Sequence, residues 1–99
     1  MEFAYCIPYT YTRLWRLIDK IEKHPHYKYE KLCNSLSGVE VPLLTITDFE
    51  DKKIPVEKRK IIVISARVHP GESNGSWMME GYLKFLLSSH QNAIKLRKK

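Results

Sequence analysis

The most continuous apolar pattern in the chain lies in its second half. Residues 60–66 (KIIVISA) are rich in β-branched side chains and contain neither Gly nor Pro, which predicts a short strand covered on both faces. Residues 73–87 carry apolar side chains at helical spacing, which predicts an amphipathic helix. Pro70 and Gly71 lie between the two and favour a sharp turn. In an α/β sheet such a turn lies at the carboxyl end of a strand, where binding sites form.

The first half of the chain begins with a pattern typical of an amphipathic helix. Thr10 or Thr12 can cap its start and Pro25 ends it. Apolar residues repeat on one face of this helix, at Leu14, Leu17, Ile18 and Ile21. Basic residues lie outside that face, at Arg13, Arg16, Lys20 and Lys23. Tyr11 and Trp15 are interpreted as packing residues. The helix is therefore predicted to be a packing element.

A hairpin and a loop are predicted to follow this helix. Residues 29–36 and 41–47 have the composition of two strands, and Ser37-Gly38 between them is a turn signal, so we predict an antiparallel hairpin. Residues 48–59 are polar and charged and contain a proline, which predicts a loop, and residues 92–99 predict a short basic helix. Together the elements predict an α/β fold, in which a partial mixed sheet is covered by packing helices.

Gly81 lies within the predicted second helix. We expect its missing side chain to let this helix pass close over the sheet, so that Gly81→Leu would disrupt packing by overfilling the space.

The predicted turn carries a histidine and a glutamate, His69 and Glu72. If the backbone between them is bent, both side chains can reach one metal ion, and imidazole nitrogen and carboxylate oxygen are ordinary zinc ligands. The spacing alone has a second interpretation. Glu72 lies close to the amino end of a helix, where negative charge is favoured, and His69 would then be a surface histidine. Both interpretations are open at the level of spacing.

Other titratable residues are given no site role. His24 and His26 flank Pro25 at a helix end, where solvated cationic side chains are favoured. Glu50 and Asp51 are adjacent carboxylates in a charged loop, whereas acid–base catalysis requires a sheltered pair with different pKa values.

Three blocks of the chain resemble a known family in the same order. Residues 62–82 (IVISARVHPGESNGSWMMEGY) closely resemble the zinc-binding segment of the cytosolic carboxypeptidases, a branch of the zinc metallocarboxypeptidases that includes tubulin deglutamylases. Residues 3–12 (FAYCIPYTYT) resemble the opening of that branch's catalytic domain, and residues 43–47 (LLTIT) match a block between the two. Digestive relatives generally have an Arg where Gly71 stands, so the turn is more similar to the cytosolic branch.

The resemblance implies that residues 1–99 form the N-terminal part of a zinc-carboxypeptidase catalytic domain. It implies one zinc ion, with His69 and Glu72 as two of its three protein ligands. The third ligand of the family is a histidine far downstream, and His90 is too close in sequence to be that residue. The family's substrate arginine and general-base glutamate also lie downstream. No catalytic residue is therefore expected in this chain, its substrate-binding residues are not assigned, and the chain is expected to be a truncated product or a fragment that needs the missing part of the domain.

By resemblance, the expected activity is zinc-dependent removal of C-terminal residues, with glutamates of polyglutamylated proteins such as tubulin as the expected substrate. The alternative is a truncated non-catalytic remnant that acts as a basic interaction module. The net charge of +6 and the pI near 9.4 fit an acidic partner, although lysines and arginines clustered at residues 52–60 and 95–99 are more typical of solvated loops and ends.

The remaining features bear on compartment and partners. Cys6 and Cys33 are too few and too far apart for a disulfide framework, so we expect free thiols in a reducing compartment. We expect a cytoplasmic protein, with association with the cytoskeleton or cilium as the finer expectation. No stacking-aromatic or recognition-helix pattern predicts nucleic-acid binding, and no apolar run predicts a membrane span.

Overall fold

The computed structural model describes residues 3–99, which form three α-helices and one two-stranded antiparallel sheet. The helices are α1 (Tyr11–Ile21), α2 (Ser73–Leu86) and α3 (Gln91–Arg97). The strands are β1 (Tyr27–Asn34) and β2 (Glu40–Ile46), and a short 3-10 turn covers Val56–Lys58. This is a partial α/β fold, as predicted. None of the helices in the described part of the chain has the length and apolar character needed to cross a membrane.

Helix α1 begins and packs as its sequence predicts. The Thr10 side chain accepts a hydrogen bond from the backbone N–H of Arg13 at 3.1 Å, which satisfies one of the free donors at the helix start. Leu17 and Ile18 are buried on the inner face. Trp15 contacts Tyr29 of β1 edge-to-face, with ring centroids 5.9 Å apart, so the aromatic pair joins helix and sheet.

The predicted hairpin is confirmed, with its strands slightly shifted in position. Tyr27 is opposite Ile46 at one end of the ladder, and an irregularity near Lys31 shifts the register by one residue. The connecting turn requires a glycine because Gly38 has φ +79°, in the left-handed region that side chains with a Cβ disfavour. The glycine that predicted this turn is therefore required by the left-handed backbone conformation at that position.

The strand predicted at residues 60–66 is not formed, and the sheet is antiparallel rather than mixed. Among residues 3–99, segment 61–66 makes no backbone–backbone hydrogen bond. Ile61, Ile62 and Val63 are 87%, 77% and 86% exposed. A strand is stable only when neighbouring strands accept its backbone hydrogen bonds, and the β1–β2 hairpin lies elsewhere. Residues 60–66 are mostly apolar, but no strand in the described part of the chain pairs with them, and the strand prediction is therefore wrong.

The expected close passage of α2 over the sheet at Gly81 is also wrong. A Cβ added at Gly81 would have no heavy atom within 4 Å, so the glycine faces open space. Only a small apolar core forms, from Tyr9, Leu17, Ile18, Tyr27, Leu83 and Ala93.

Two buried arginines, Arg59 and Arg97, join the C-terminal helices to the central loop. Arg97 donates to the backbone carbonyls of Leu86 and Ser88, at the carboxyl end of α2. Arg59 in turn donates to the Arg97 carbonyl at 3.0 Å and to the Thr47 hydroxyl at 2.6 Å. Each guanidinium thereby satisfies carbonyls that a helix end leaves unpaired. Arg59 thereby connects the end of the predicted loop 48–59 to the carboxyl end of α3.

Candidate metal centre

His69 and Glu72 lie side by side in the turn that precedes α2. His69 Nδ1 is 3.2 Å from Glu72 Oε1, and the side chains are 74% and 60% exposed. Two ligands bound to one tetrahedral zinc ion at the usual bond lengths are about 3.3 Å apart, so the donor separation suits a shared ion. It also suits a hydrogen bond between the two side chains. The pair thus fits two positions of a zinc site, and its assignment as a ligand pair stays a prediction.

Glu72 occupies the N-cap position of α2 without acting as a side-chain cap. Its carboxylate makes no hydrogen bond to the backbone N–H groups of the first helical turn, and instead faces the His69 ring. A capping glutamate would be directed at those N–H groups. The geometry therefore excludes a side-chain capping hydrogen bond from Glu72, whereas the favourable position of its negative charge at the helix start is compatible with its approach to His69.

Arg67 determines how the turn approaches the rest of the molecule. It is the one residue other than glycine with a positive φ among those described, at 63°. Its guanidinium donates to the Pro70 carbonyl at 2.7 Å and to the Tyr9 carbonyl at 3.1 Å. Backbone strain of this kind persists only where surrounding contacts hold it. Arg67 thus connects the backbone of the His69–Glu72 turn to the segment before α1.

A second pair of contacts anchors the start of α2 to that same segment. The Ser73 hydroxyl and the Trp77 indole N–H both donate to the Ile7 carbonyl, at 2.8 and 3.0 Å. The Tyr9 ring meets Trp77 edge-to-face, with centroids 5.1 Å apart. Residues 7–9 therefore act as the base on which the candidate site is positioned.

A charged network lies one helical turn further along α2. Glu80 is buried, and its carboxylate accepts hydrogen bonds from Arg13 Nε and Nη2, each at 3.0 Å, and from Lys84 Nζ at 2.7 Å. The hydrogen bond from Arg13 is the main cause that lowers the pKa of Glu80 to about 2, despite the opposing effect of burial. Burial, together with the nearby Glu80 carboxylate, raises the pKa of Tyr9 to about 12. The network joins α1 to α2 behind the turn.

Within residues 3–99 no group of three or more His, Cys, Asp and Glu side chains is arranged to hold a metal ion. His24 and His26 lie at the end of α1, where the His24 ring accepts a hydrogen bond from the His26 backbone N–H. His90 caps α3 by accepting from the Asn92 backbone N–H at 3.1 Å. The histidines outside the turn thus have local structural contacts.

The adjacent loop carboxylates and the cysteines do not join the candidate site. Asp51 accepts from the Lys53 backbone N–H at 2.9 Å and lies 3.5 Å from Lys98. The hydrogen bond from Lys53 is the main cause that lowers the Asp51 pKa. Cys6 and Cys33 are free thiols.

Sequence patterns identified the two candidate ligands but not the residues that support them. Arg67, Ser73 and Trp77 contact residues 7–9 across 58, 66 and 70 positions of sequence, a distance over which periodicity gives no information. The one indirect signal was that residues 3–12 and 62–82 both belong to the resemblance blocks.

Comparison with known proteins finds cytosolic carboxypeptidases that are similar to this chain over nearly its whole length. Cytosolic carboxypeptidase 2 of Xenopus tropicalis is 48% identical over 99 residues, which cover 96% of this chain and 10% of that protein. Human cytosolic carboxypeptidase 2 is 46% identical over 99 residues, which cover 96% of this chain and 11% of that protein. Cytosolic carboxypeptidase 1 of Danio rerio is 43% identical over 104 residues, which cover 96% of this chain and 9% of that protein.

No family model matches the chain, and no solved structure matches it. The chain spans about a tenth of the length of the three curated relatives described. Because the aligned region covers 96% of this chain, it includes both the His69–Glu72 turn and residues 7–9, which support the turn. Over 96% of its length, this chain is therefore similar to a part of the cytosolic carboxypeptidases.

Proposed function

We propose that this chain is the part of a zinc-dependent carboxypeptidase that carries two of the metal ligands, His69 and Glu72. The observation that supports the proposal most strongly is the 3.2 Å approach of the imidazole and the carboxylate, in a turn held by contacts to a distant segment. Such external support is typical of residues that must keep a defined geometry. The expected substrates are C-terminal glutamates of polyglutamylated tails, such as those of tubulin.

Three residues in and before the turn have defined roles in this proposal. His69 and Glu72 supply one nitrogen and one oxygen donor, and Arg67 holds the backbone that carries them. When bound, zinc supplies a Lewis acid for the scissile carbonyl and makes hydroxide available near neutral pH. A third protein ligand, a general base and a carboxylate-binding arginine are expected from the remainder of the catalytic domain.

A segment exchange tests this function directly. Residues 1–99 would replace the aligned segment of human cytosolic carboxypeptidase 2, to which they are 46% identical. We expect the chimera to release C-terminal glutamate from a glutamate-ended peptide, and His69→Ala or Glu72→Gln to reduce the rate by at least about a hundredfold. His90→Ala is the matched control, because the contacts of the His90 side chain are with the start of α3 and with the Phe85 ring, not with the His69–Glu72 turn.

The chimera also has a clear contradicting result. If the folded chimera is inactive, the proposed function is wrong. If the chimera is active and His69→Ala leaves its activity unchanged, the ligand assignment is wrong. A preference for peptides with neutral ends would contradict the proposed glutamate substrate while leaving the ligand assignment intact.

The relatives are named cytosolic, and we propose a cytoplasmic location for this chain as well. Association with the cytoskeleton or with cilia follows from the proposed tubulin substrate. Localisation of a tagged chain together with polyglutamylated tubulin would test that association, and a uniform cytoplasmic distribution would oppose it.

A second candidate function, a basic interaction module without catalysis, is favoured by the distribution of charge on α1. Arg13, Arg16 and Lys20 lie on one face of that helix, beside α2. Binding of acidic peptides without their hydrolysis would favour this function.

A further inference from the structure

A groove of about 580 Å³ lies between α1 and α2, away from the His69–Glu72 turn. Its lining includes four cationic side chains and one carboxylate, from Arg13, Arg16, Lys20, Lys84 and Glu80. Leu17 and Trp77 also contribute to the lining. The groove is thus a concave surface with an excess of positive charge.

The single carboxylate in the groove is already neutralised within the protein. Glu80 is 6% exposed and accepts hydrogen bonds from both Arg13 and Lys84. Arg16 and Lys20 are exposed, and neither forms an ion pair with a carboxylate among residues 3–99. The positive charge of these two residues is therefore available to a ligand.

Arg16 and Lys20 are four residues apart on α1, so their charges lie on neighbouring turns of the same face. Like charges at this spacing repel each other and destabilise a helix, and an anion bound between them removes that cost. The two positions are separated by about 6 Å along the helix axis. Alternate residues of an extended peptide are separated by a similar distance, about 6.6 Å.

We propose that the groove between α1 and α2 binds an acidic peptide, in an extended conformation, through Arg16, Lys20 and the free N–H donors of Lys84. A nucleic acid fits the groove less well, because single strands bind largely by stacking their bases on aromatic faces. The Arg13 guanidinium lies over the Trp77 ring, 4.1 Å from its centroid, and the Trp77 indole N–H donates to Ile7. The face of the Trp77 ring that Arg13 covers is therefore not available for stacking with a base.

This proposal rests on the second candidate function, the basic interaction module, and not on the metal centre, so its test leaves His69 and Glu72 unchanged. A fluorescent oligoglutamate peptide would be titrated with the 99-residue chain, and binding followed by anisotropy at two salt concentrations. The test variant is Arg16→Glu with Lys20→Glu, and the matched control is Lys58→Glu with Lys60→Glu. Each double variant lowers the net charge from +6 to +2, because every reversal removes two units of charge.

We expect the test variant to weaken binding by about tenfold or more and the control to have a much smaller effect. Added salt should weaken binding to the wild-type chain, because the contacts are exposed. Circular dichroism should show equal helix content in both variants, since all four substituted positions are exposed.

Four results would overturn the proposal. One is the absence of peptide binding by the folded wild-type chain. Another is an equal loss of affinity in both double variants, which would mean that diffuse charge attracts the peptide. The third is tighter binding of a single-stranded oligonucleotide of equal charge that is lost in the test variant, which would assign the groove to nucleic acid. An Arg16→Gln, Lys20→Gln variant that binds as tightly as wild type would also contradict the assigned contacts.

Discussion

At the scale of single residues, the candidate site depends on side chains that come from different parts of the chain. Arg67 adopts a φ of 63° and spends two of its donors on backbone carbonyls, one in the turn and one in the segment before α1. Glu80 is a buried anion whose two cationic partners come from α1 and α2. The first arrangement positions the turn, and the second joins the helices behind it. Each can be tested by one substitution.

Arg67→Gly should weaken zinc binding at His69 by about tenfold, because the guanidinium that holds the turn is removed. Glycine accepts a positive φ without strain, so the fold should be retained. The measurement is the zinc concentration that shifts the His69 ring resonances in NMR spectra. Arg16→Gln serves as a control that removes an arginine without touching the turn, because Arg16 is exposed and forms no ion pair within residues 3–99. Unchanged zinc binding by Arg67→Gly would show that the arginine has no positioning role.

Glu80→Gln should lower the free energy of unfolding by about 2 kcal/mol at neutral pH, because it removes the charge-assisted hydrogen bonds of Arg13 and Lys84. The Glu80 pKa is about 2 in the fold and 4.5 ordinarily. A lowered pKa stabilises the fold above the ordinary value, and this stabilisation is lost as the pH falls from about 4.5 to about 2.

Urea unfolding at pH 7 and at pH 3 checks this prediction. The wild-type chain should lose more stability between the two pH values than the Glu80→Gln variant does. Equal losses would mean that Glu80 is not held as a buried anion.

At the scale of elements, the structure shows which sequence signals were sufficient. The hairpin and α1 could be predicted because their causes are local, namely the positive φ at Gly38 and the capping hydroxyl of Thr10. The strand at residues 60–66 could not, because a strand also needs neighbours, and no periodicity within the segment reports whether they are present. The same limit applies to the contacts of Arg67 and to the surroundings of Gly81.

Replacement by alanine should change the stability of the chain in opposite directions at Gly81 in α2 and at Gly38 in the hairpin. Gly81→Ala should stabilise the chain by about 0.5–1 kcal/mol, because an exposed glycine within a helix carries an entropic cost and the new methyl group meets no atom within 4 Å. Gly38→Ala should destabilise it, because its φ of +79° disfavours a Cβ. Thermal unfolding of the two variants is the measurement. A destabilising Gly81→Ala would restore the original expectation of close packing at that position.

At the scale of the whole molecule, the described residues are less compact than a finished domain. The radius of gyration is 15.2 Å and the longest dimension is 54 Å, whereas a globular domain of 100 residues has a radius of gyration of about 13 Å. No large side chain among residues 3–99 is completely buried, and the apolar segment 61–64 has no backbone partner. An exposed apolar segment with unpaired backbone groups can pair with another chain, and this promotes association.

The chain should therefore self-associate as its concentration rises, and Ile62→Lys should reduce this. A charge on an unpaired strand opposes edge-to-edge pairing. Light scattering over a concentration series is the measurement. Leu36→Lys is the matched control, because Leu36 is also exposed but lies in the hairpin turn. If both variants reduce association equally, the unpaired segment is not the cause.

The central claim, that His69 and Glu72 form a metal-ligand pair, is tested most directly by titrating zinc into the 99-residue chain while the four histidine ring signals are followed by NMR. We predict that zinc shifts His69 before His24, His26 and His90, and that Glu72→Gln removes this preference. If the His24 and His26 signals respond first, or if Glu72→Gln leaves the His69 response unchanged, the pair is a surface hydrogen bond and the account of the metal centre is wrong.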